Sequence, residues 1–209
     1  MSNSNQDMLV TQLLEGGLDA LGIGQAQHAL LLDYLLLLNK WNQAYNLTAI
    51  RELPDMVTRH ILDSLAIVRY IHGVRIIDVG TGPGLPGIPL AITQPHLDIV
   101  LLDSNGKKTR FLNEVKRRLR LDNVQVIQSR VENYRDVPSF DTVVSRAFSD
   151  IDQMIFWTQH LLAGDGIWLA MKGQYPAAEL LDLNFPYEVQ TYEVPGLDEQ
   201  RCAVIIHTN

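Results

Sequence analysis

One cysteine, Cys202, excludes an internal disulfide and suits a reducing compartment. The N-terminal run "MSNSNQDMLVTQLLEGG" has neither a basic leader nor a long apolar core, so no export signal is expected and a cytoplasmic location is. Long hydrophobic runs are missing too. The most apolar stretch, "ALLLDYLLLLNKW" (29–41), is broken by Asp33 and falls well short of the roughly 20 residues of a membrane span. It reads as a buried helix, and no membrane partner is expected. Histidine and cysteine do not cluster: His60 and Asp63 in "RHILDSL" are spaced to share a helix face, but no second ligand lies near, so no metal is expected. A net positive charge is also absent. The chain carries a formal −7, which by sum alone fits a nucleic-acid partner poorly.

The distribution of charge says more than the sum. Seven of the 17 basic residues (Lys107, Lys108, Arg110, Lys116, Arg117, Arg118 and Arg120) fall within 14 positions, while acids gather between Glu179 and Glu199. A solvated helix face is the ordinary reading of such a run; a local basic surface for RNA is the other.

Hydrophobic patterning divides the chain near residue 72. Residues 7–72 read as helical, with leucines recurring at helical spacing from 30 to 38. From 74 onward short apolar strands alternate with helices: "VRIIDVG", "LDIVLLD", "NVQVIQS", "FDTVVSRA" and "GIWLAMKG". The last two runs, "YEVQTYEVP" and "RCAVIIHTN", alternate as a terminal antiparallel pair does. A helical N-terminal segment (1–72) and an α/β ligand-binding domain (73–209) with a doubly wound, mostly parallel sheet are expected.

The sharpest local signal is "RIIDVGTGPGLPGIPLAI" (75–92). Gly82 and Gly87 have the glycine spacing of a triphosphate loop. Ile88 and Pro89, however, replace the lysine and hydroxyl that such a loop needs. Gly82, Gly84 and Gly87 also fit Gly-x-Gly-x-x-Gly, with Asp103 downstream to hold a ribose, which keeps a dinucleotide oxidoreductase open. The fuller match is Asp78-x-Gly80-x-Gly82-x-Gly84. A carboxylate here repels a pyrophosphate and favours an ammonium or sulfonium. That points to S-adenosylmethionine, with Asp78, Gly80, Gly82 and Asp103 as contacts.

Ligands gather at the carboxyl ends of strands in open α/β sheets. The third strand ends at Val131 and Glu132, which border an adenine ring in this reading. The fourth ends at Arg146, suited to a phosphate, a cofactor carboxylate or a guanine edge, or else paired structurally with a carboxylate. The fifth ends at Lys172, another candidate phosphate or base contact. Exocyclic-amine methyltransferases commonly place Asn/Asp-Pro-Pro-aromatic where this chain has "SRAF". Pyrimidine-carbon methylation needs a cysteine nucleophile, and Cys202 lies in the last strand.

Together "WNQAYNLTAI", "RHILDSL", "DVGTGPGLPGIPLAI", "LLDSNGKKTRFL", "FDTVVSRAF" and "MKG", in this order, resemble the bacterial small-subunit ribosomal RNA methyltransferase G family, also called glucose-inhibited division protein B. The resemblance runs from about residue 30 to the C-terminus. It implies a class I S-adenosylmethionine-dependent methyltransferase fold: Rossmann-like, seven-stranded, mostly parallel with an antiparallel C-terminal strand, plus a helical N-terminal extension. It implies methylation of guanine N7 in the decoding-region loop of 16S ribosomal RNA, with RNA or the small ribosomal subunit as partner. It also implies cofactor contacts at Gly80, Leu85, Val131, Glu132 and Arg146. This chain has "SRVE" where many members have "GRAE". No catalytic dyad is expected, because guanine N7 carries no proton. A monomer is expected. Another RNA as substrate, and a non-catalytic assembly factor, are the alternatives.

Overall fold

A computed structural model describes residues 3–135 and 137–208. Its first third is helical: α1 (Asn3–Ala20), α2 (His28–Tyr45), then α3 (Leu53–Met56), which runs through a π-helical turn at Val57–Leu62 into α4 (Asp63–Leu65). Residues 46–52 form a loop between α2 and α3. Asn46 ends α2 in the left-handed region at φ 51°. Asn42 then clamps the loop, donating to the Ile50 carbonyl at 2.9 Å and accepting from the Thr48 N–H at 2.9 Å.

The rest alternates as expected: β1 (Arg75–Val79), α5 (Gly87–Thr93), β2 (Asp98–Asp103), α6 (Gly106–Leu119), β3 (Val124–Gln128), β4 (Phe140–Arg146), α7 (Ile151–Thr158), β5 (Leu162–Lys172), α8 (Ala177–Leu180), β6 (Tyr187–Tyr192) and β7 (Arg201–His207). Side chains cap the two longer crossover helices. Asn105 accepts from the Lys107 N–H at 2.9 Å, and Asp150 from the Gln153 N–H at 2.8 Å. β5 begins four residues before the expected "GIWLAMKG", because Leu162 pairs with Phe140 ahead of a register shift that absorbs Gly164–Gly166.

The seven strands are ordered β3-β2-β1-β4-β5-β7-β6, with β1 to β5 parallel. β7 inserts between β5 and β6 and is antiparallel to both, so the expected sheet is the observed one. Alternation along β1 sends its side chains to opposite faces. Ile76 joins Leu14, Leu35, Met56, Ile88 and Val144 in a core that the N-terminal helices and the sheet share. Ile77 and Val79 join Val143, Trp168 and the buried side of α7 on the other face. Among the described residues no helix is long and apolar enough to cross a membrane.

Candidate functional site

β1, β2 and β3 all end at one edge of the sheet, and the turn after β1 is built to let something approach. Its N–H groups are spent on the neighbouring strand: Gly80 and Thr81 both donate to the Leu102 carbonyl, at 2.9 and 3.2 Å. Gly80 adopts φ +67°, and a Cβ added there would land on the Phe148 ring. A side chain at this position would close the cradle. From α2, the buried Tyr34 hydroxyl donates to the Pro83 carbonyl at 2.9 Å, tying the turn to the N-terminal helices.

A cavity of about 380 Å³ opens above the turn. Of the residues expected from sequence, Gly80, Asp103, Val131 and Glu132 line it. Asp103 is held in place from three sides. Its Oδ2 accepts from the Gly82 N–H at 3.0 Å and lies 3.5 Å from Lys108 Nζ, and its Oδ1 accepts from the Asn105 N–H at 2.8 Å. Val131 and Glu132 form a 3₁₀ turn after β3. A larger concavity, about 870 Å³, lies against residues 191–200 and holds none of the expected site residues.

Four expected residues are not part of the lining: Gly82, whose N–H is spent on Asp103, and Leu85, Asp78 and Arg146. Leu85 points into the core, so only its backbone faces the turn. Asp78 is fully buried: its Oδ2 accepts from the Thr81 hydroxyl at 2.6 Å and the Gly87 N–H at 2.8 Å, while Oδ1 has no partner. Burial pushes its carboxyl up to about 6, against the pull of those two hydrogen bonds and of the Arg146 charge.

Arg146 shares the face of Asp78, two residues beyond the Asp78–Val144 register pair. It donates to Asp63 Oδ2 at 3.1 Å and to the Arg59 carbonyl at 2.9 Å, so the carboxylate pairing foreseen as one alternative is the one present. Asp63 also accepts from Tyr192 at 3.4 Å and faces Arg201 at 3.7 Å. His60, beside Arg146, holds Thr48 Oγ1 at 2.8 Å and the Arg59 carbonyl at 3.0 Å through its two ring nitrogens. Burial first, and the Arg146 charge second, lower its pKa to about 4.

Lys172 is a correction. The expected phosphate or base contact is instead committed to Glu179 at 2.6 Å and the Ser149 carbonyl at 3.2 Å. Among the further lining residues, sequence reasoning did not assign Lys108, Arg130, Phe148 or Trp157 to this site. Lys108 alone had a readable signal, as a member of the basic run that follows Asp103.

The Asp78 and His60 shifts give a pH test with opposed signs. A carboxyl raised from 3.8 to about 6 stabilises the fold fully below about pH 4, and this contribution is lost as pH rises through 6. An imidazole lowered from 6.5 to about 4 stabilises above 6.5, and this contribution is lost as pH falls towards 4. The two slopes oppose one another in one window. Asp78→Asn therefore gains on the wild type by up to about 3 kcal/mol between pH 4 and 7, at about 1.4 kcal/mol per unit shift. Urea unfolding across that range measures the difference, in which other titrating groups cancel; a flat difference contradicts it.

The comparisons decide the family. Residues 27–203 match the model of the family described as rRNA small subunit methyltransferase G. The chain belongs to that family. It is 59% identical over 202 residues to the Ribosomal RNA small subunit methyltransferase G of Legionella pneumophila strain Philadelphia 1, covering 97% of this chain and 94% of that one. It is 52% identical over 201 residues to the protein of the same name from Pseudomonas syringae pv. tomato, covering 93% and 95%. Among solved structures it shares its fold with a SAM dependent methyltransferase from Aquifex aeolicus, at TM-score 0.57 and 15% identity, covering 74% and 94%. A ribosomal protein L11 methylase from Lactobacillus delbrueckii gives TM-score 0.54 at 16% identity, covering 71% and 77%. With family and fold in hand, the chain is an S-adenosylmethionine-dependent methyltransferase, and the dinucleotide alternative falls away.

Proposed function

We propose that this methyltransferase G family member transfers the methyl group of S-adenosylmethionine to the N7 atom of a guanine in the decoding-region loop of 16S ribosomal RNA. The observation that carries the reading is the arc at the ends of β1, β2 and β3, in a chain matched to the family over residues 27–203. Residues 73–209 then bind the donor, and residues 1–72 buttress the turn through Tyr34.

The side chains present fit the donor. Asp103 suits the ribose hydroxyls, and Val131 and Glu132 border the adenine. Gly80 and Gly82 leave the backbone open to close approach, as does Leu85 through its main chain. The unpartnered Asp78 Oδ1 offers a buried charge to an ammonium, and Arg146, on the same face, offers one to the carboxylate of an amino acid. Bound there, S-adenosylmethionine supplies a sulfonium methyl. Guanine N7 has an in-plane lone pair and no proton, so the protein's task is to align acceptor and donor and exclude water, a proximity effect.

Methylation of small subunits, or of their RNA, from a strain lacking this activity tests the reading. A single 7-methylguanosine in 16S RNA, detected by mass spectrometry of nuclease fragments, is expected. Methylation of a different atom or RNA, or none, overturns it.

α6 is the proposed RNA surface. Lys108, Arg117 and Arg118 are paired with Asp103 and Glu114. Lys107 and Arg110, both exposed, have no carboxylate partner among the described residues. Lys107→Ala with Arg110→Ala is expected to weaken RNA binding and to lower the slope of log affinity against log salt by about 1 to 2. Filter binding across a salt series measures it, and an unchanged slope returns α6 to a solvated face.

A further inference from the structure

We infer that Tyr45 and Arg51, at the end of α2, clamp one unpaired nucleotide of the RNA substrate: the ring stacks on its base and the guanidinium holds its phosphate. The inference rests on the RNA-methylation reading above. Its starting point is the close of α2. Asn46 leaves the helix in the left-handed region, and Arg51 returns across the helix end, donating to the Asn42 carbonyl at 3.0 Å and to Asn46 Oδ1 at 2.6 Å. A cation on the last carbonyls of a helix is well placed against its dipole. Arg51 is exposed, and among the described residues it has no carboxylate within ion-pair distance. Two of its five N–H donors are used at the helix end, so the planar fork is held in one orientation with the others to spare.

Tyr45, the last residue of α2, is 44% exposed. Its ring is placed rather than loose. The centroid lies 5.2 Å from that of Trp41, which in turn lies 5.5 Å from the buried ring of Phe111 in α6. This aromatic series sets the tyrosine next to the helix proposed above for RNA. In the other direction, Thr48 of the loop meets His60 Nε2 at 2.8 Å, and His60 lies beside Arg146 at the carboxyl end of β4. The helix end and its loop therefore reach from α6 to the end of β4. None of residues 41–52 lines the donor cavity, so both side chains can be replaced without altering its walls.

The chemistry of the pair selects its partner. A half-exposed aromatic ring beside a fixed guanidinium matches a base and the phosphate attached to it. Every base has a π-face, but a duplex hides those faces inside its stack, so stacking on a side chain selects unpaired nucleotides. Paired RNA would engage the guanidinium alone. A loop offers both. The hold of Asn42 and Asn46 on Arg51 also limits the cost of binding, because an arginine already oriented has less rotamer freedom to lose. Lys107 and Arg110, both exposed on α6, extend the cationic surface beyond the ring.

Single-turnover methylation of unmethylated small subunits, over a series of enzyme and salt concentrations, tests the clamp, alongside calorimetric titration with S-adenosylhomocysteine. Tyr45→Ala is expected to raise the enzyme concentration that gives half the maximal rate by about 5- to 100-fold, and Tyr45→Phe to leave it within about twofold. Arg51→Gln is expected to raise it as well, and to lower the slope of its logarithm against log salt by about 0.7, one single-strand phosphate contact. The S-adenosylhomocysteine dissociation constant should stay within about twofold in all three, which also shows them folded. An unchanged half-maximal concentration in Tyr45→Ala, or an unchanged salt slope in Arg51→Gln, overturns the inference and leaves the guanine reading standing. An equal rise in Tyr45→Phe overturns it too, because the hydroxyl rather than the ring is then the contact. So does a parallel loss of S-adenosylhomocysteine affinity, because the residue then serves the donor. If the wild type methylates no purine nitrogen of the subunit, the parent reading fails and this inference with it.

Discussion

Asp63→Ala is expected to destabilise the fold by about 3 kcal/mol or more, the range found when one partner of a buried ion pair is removed. Asp63 is 5% exposed and sits between two guanidinium groups, 3.1 Å from Arg146 and 3.7 Å from Arg201. Without it the two cations face each other across a largely dry space, and the Tyr192 hydroxyl loses its acceptor. For a domain of this size about 3 kcal/mol corresponds to a fall in Tm of about 6–12 °C. Glu199→Ala provides the contrast. That carboxylate bridges Arg59 and Arg201 too, but its side chain is 55% exposed and screened by solvent, so the expected loss is much smaller. Thermal and urea unfolding of the two variants measures both, and equal small losses contradict the assignment of Asp63 as the node.

Gly80→Ala is expected to remove donor binding while leaving a folded protein. The added Cβ meets the Phe148 ring, and the left-handed φ of +67° costs any L side chain about 1–2 kcal/mol. The strain falls on stability, while the methyl group and the displaced ring fall into the cavity. S-adenosylhomocysteine affinity should drop at least about 100-fold, near 2.7 kcal/mol. Calorimetric titration reads it directly, with far-UV circular dichroism confirming the fold. Retained affinity would mean that the ligand does not lie over this turn.

What could be read from sequence was whatever lies within one strand–turn–helix unit. "RIIDVGTGPGLPGIPLAI" announces its own strand, turn and helix, and the acids and glycines sit where local backbone geometry needs them. Asp103, Val131 and Glu132 were legible for a related reason: each follows the last residues of a recognisable apolar strand, and parallel strands deliver their ends to one edge. The pairing of Arg146 was not legible beyond a generic alternative. Its partner Asp63 lies 83 residues earlier and Arg201 comes 55 residues later, in elements that only the tertiary fold brings together. Phe148 and Trp157 stayed hidden because an aromatic after a strand and an aromatic on an amphipathic helix both look like ordinary core. Only the left-handed turn at Ala147 separates Phe148 from that reading, and nothing in an alanine forecasts positive φ. The early start of β5 was masked by "AGDG", whose composition belongs to a turn.

The place of β7 has a consequence for synthesis. Because residues 201–207 fill the gap between β5 and β6, a nascent chain emerging from the ribosome holds β6 with no neighbour until β7 appears. Arg201, at the start of that strand, is also the second cation on Asp63. The glycine turn, the Asp103 arc and the Tyr34 tie can all form earlier, from residues that leave the ribosome first. The environment of Arg146 is therefore completed only after β1 to β6 have emerged.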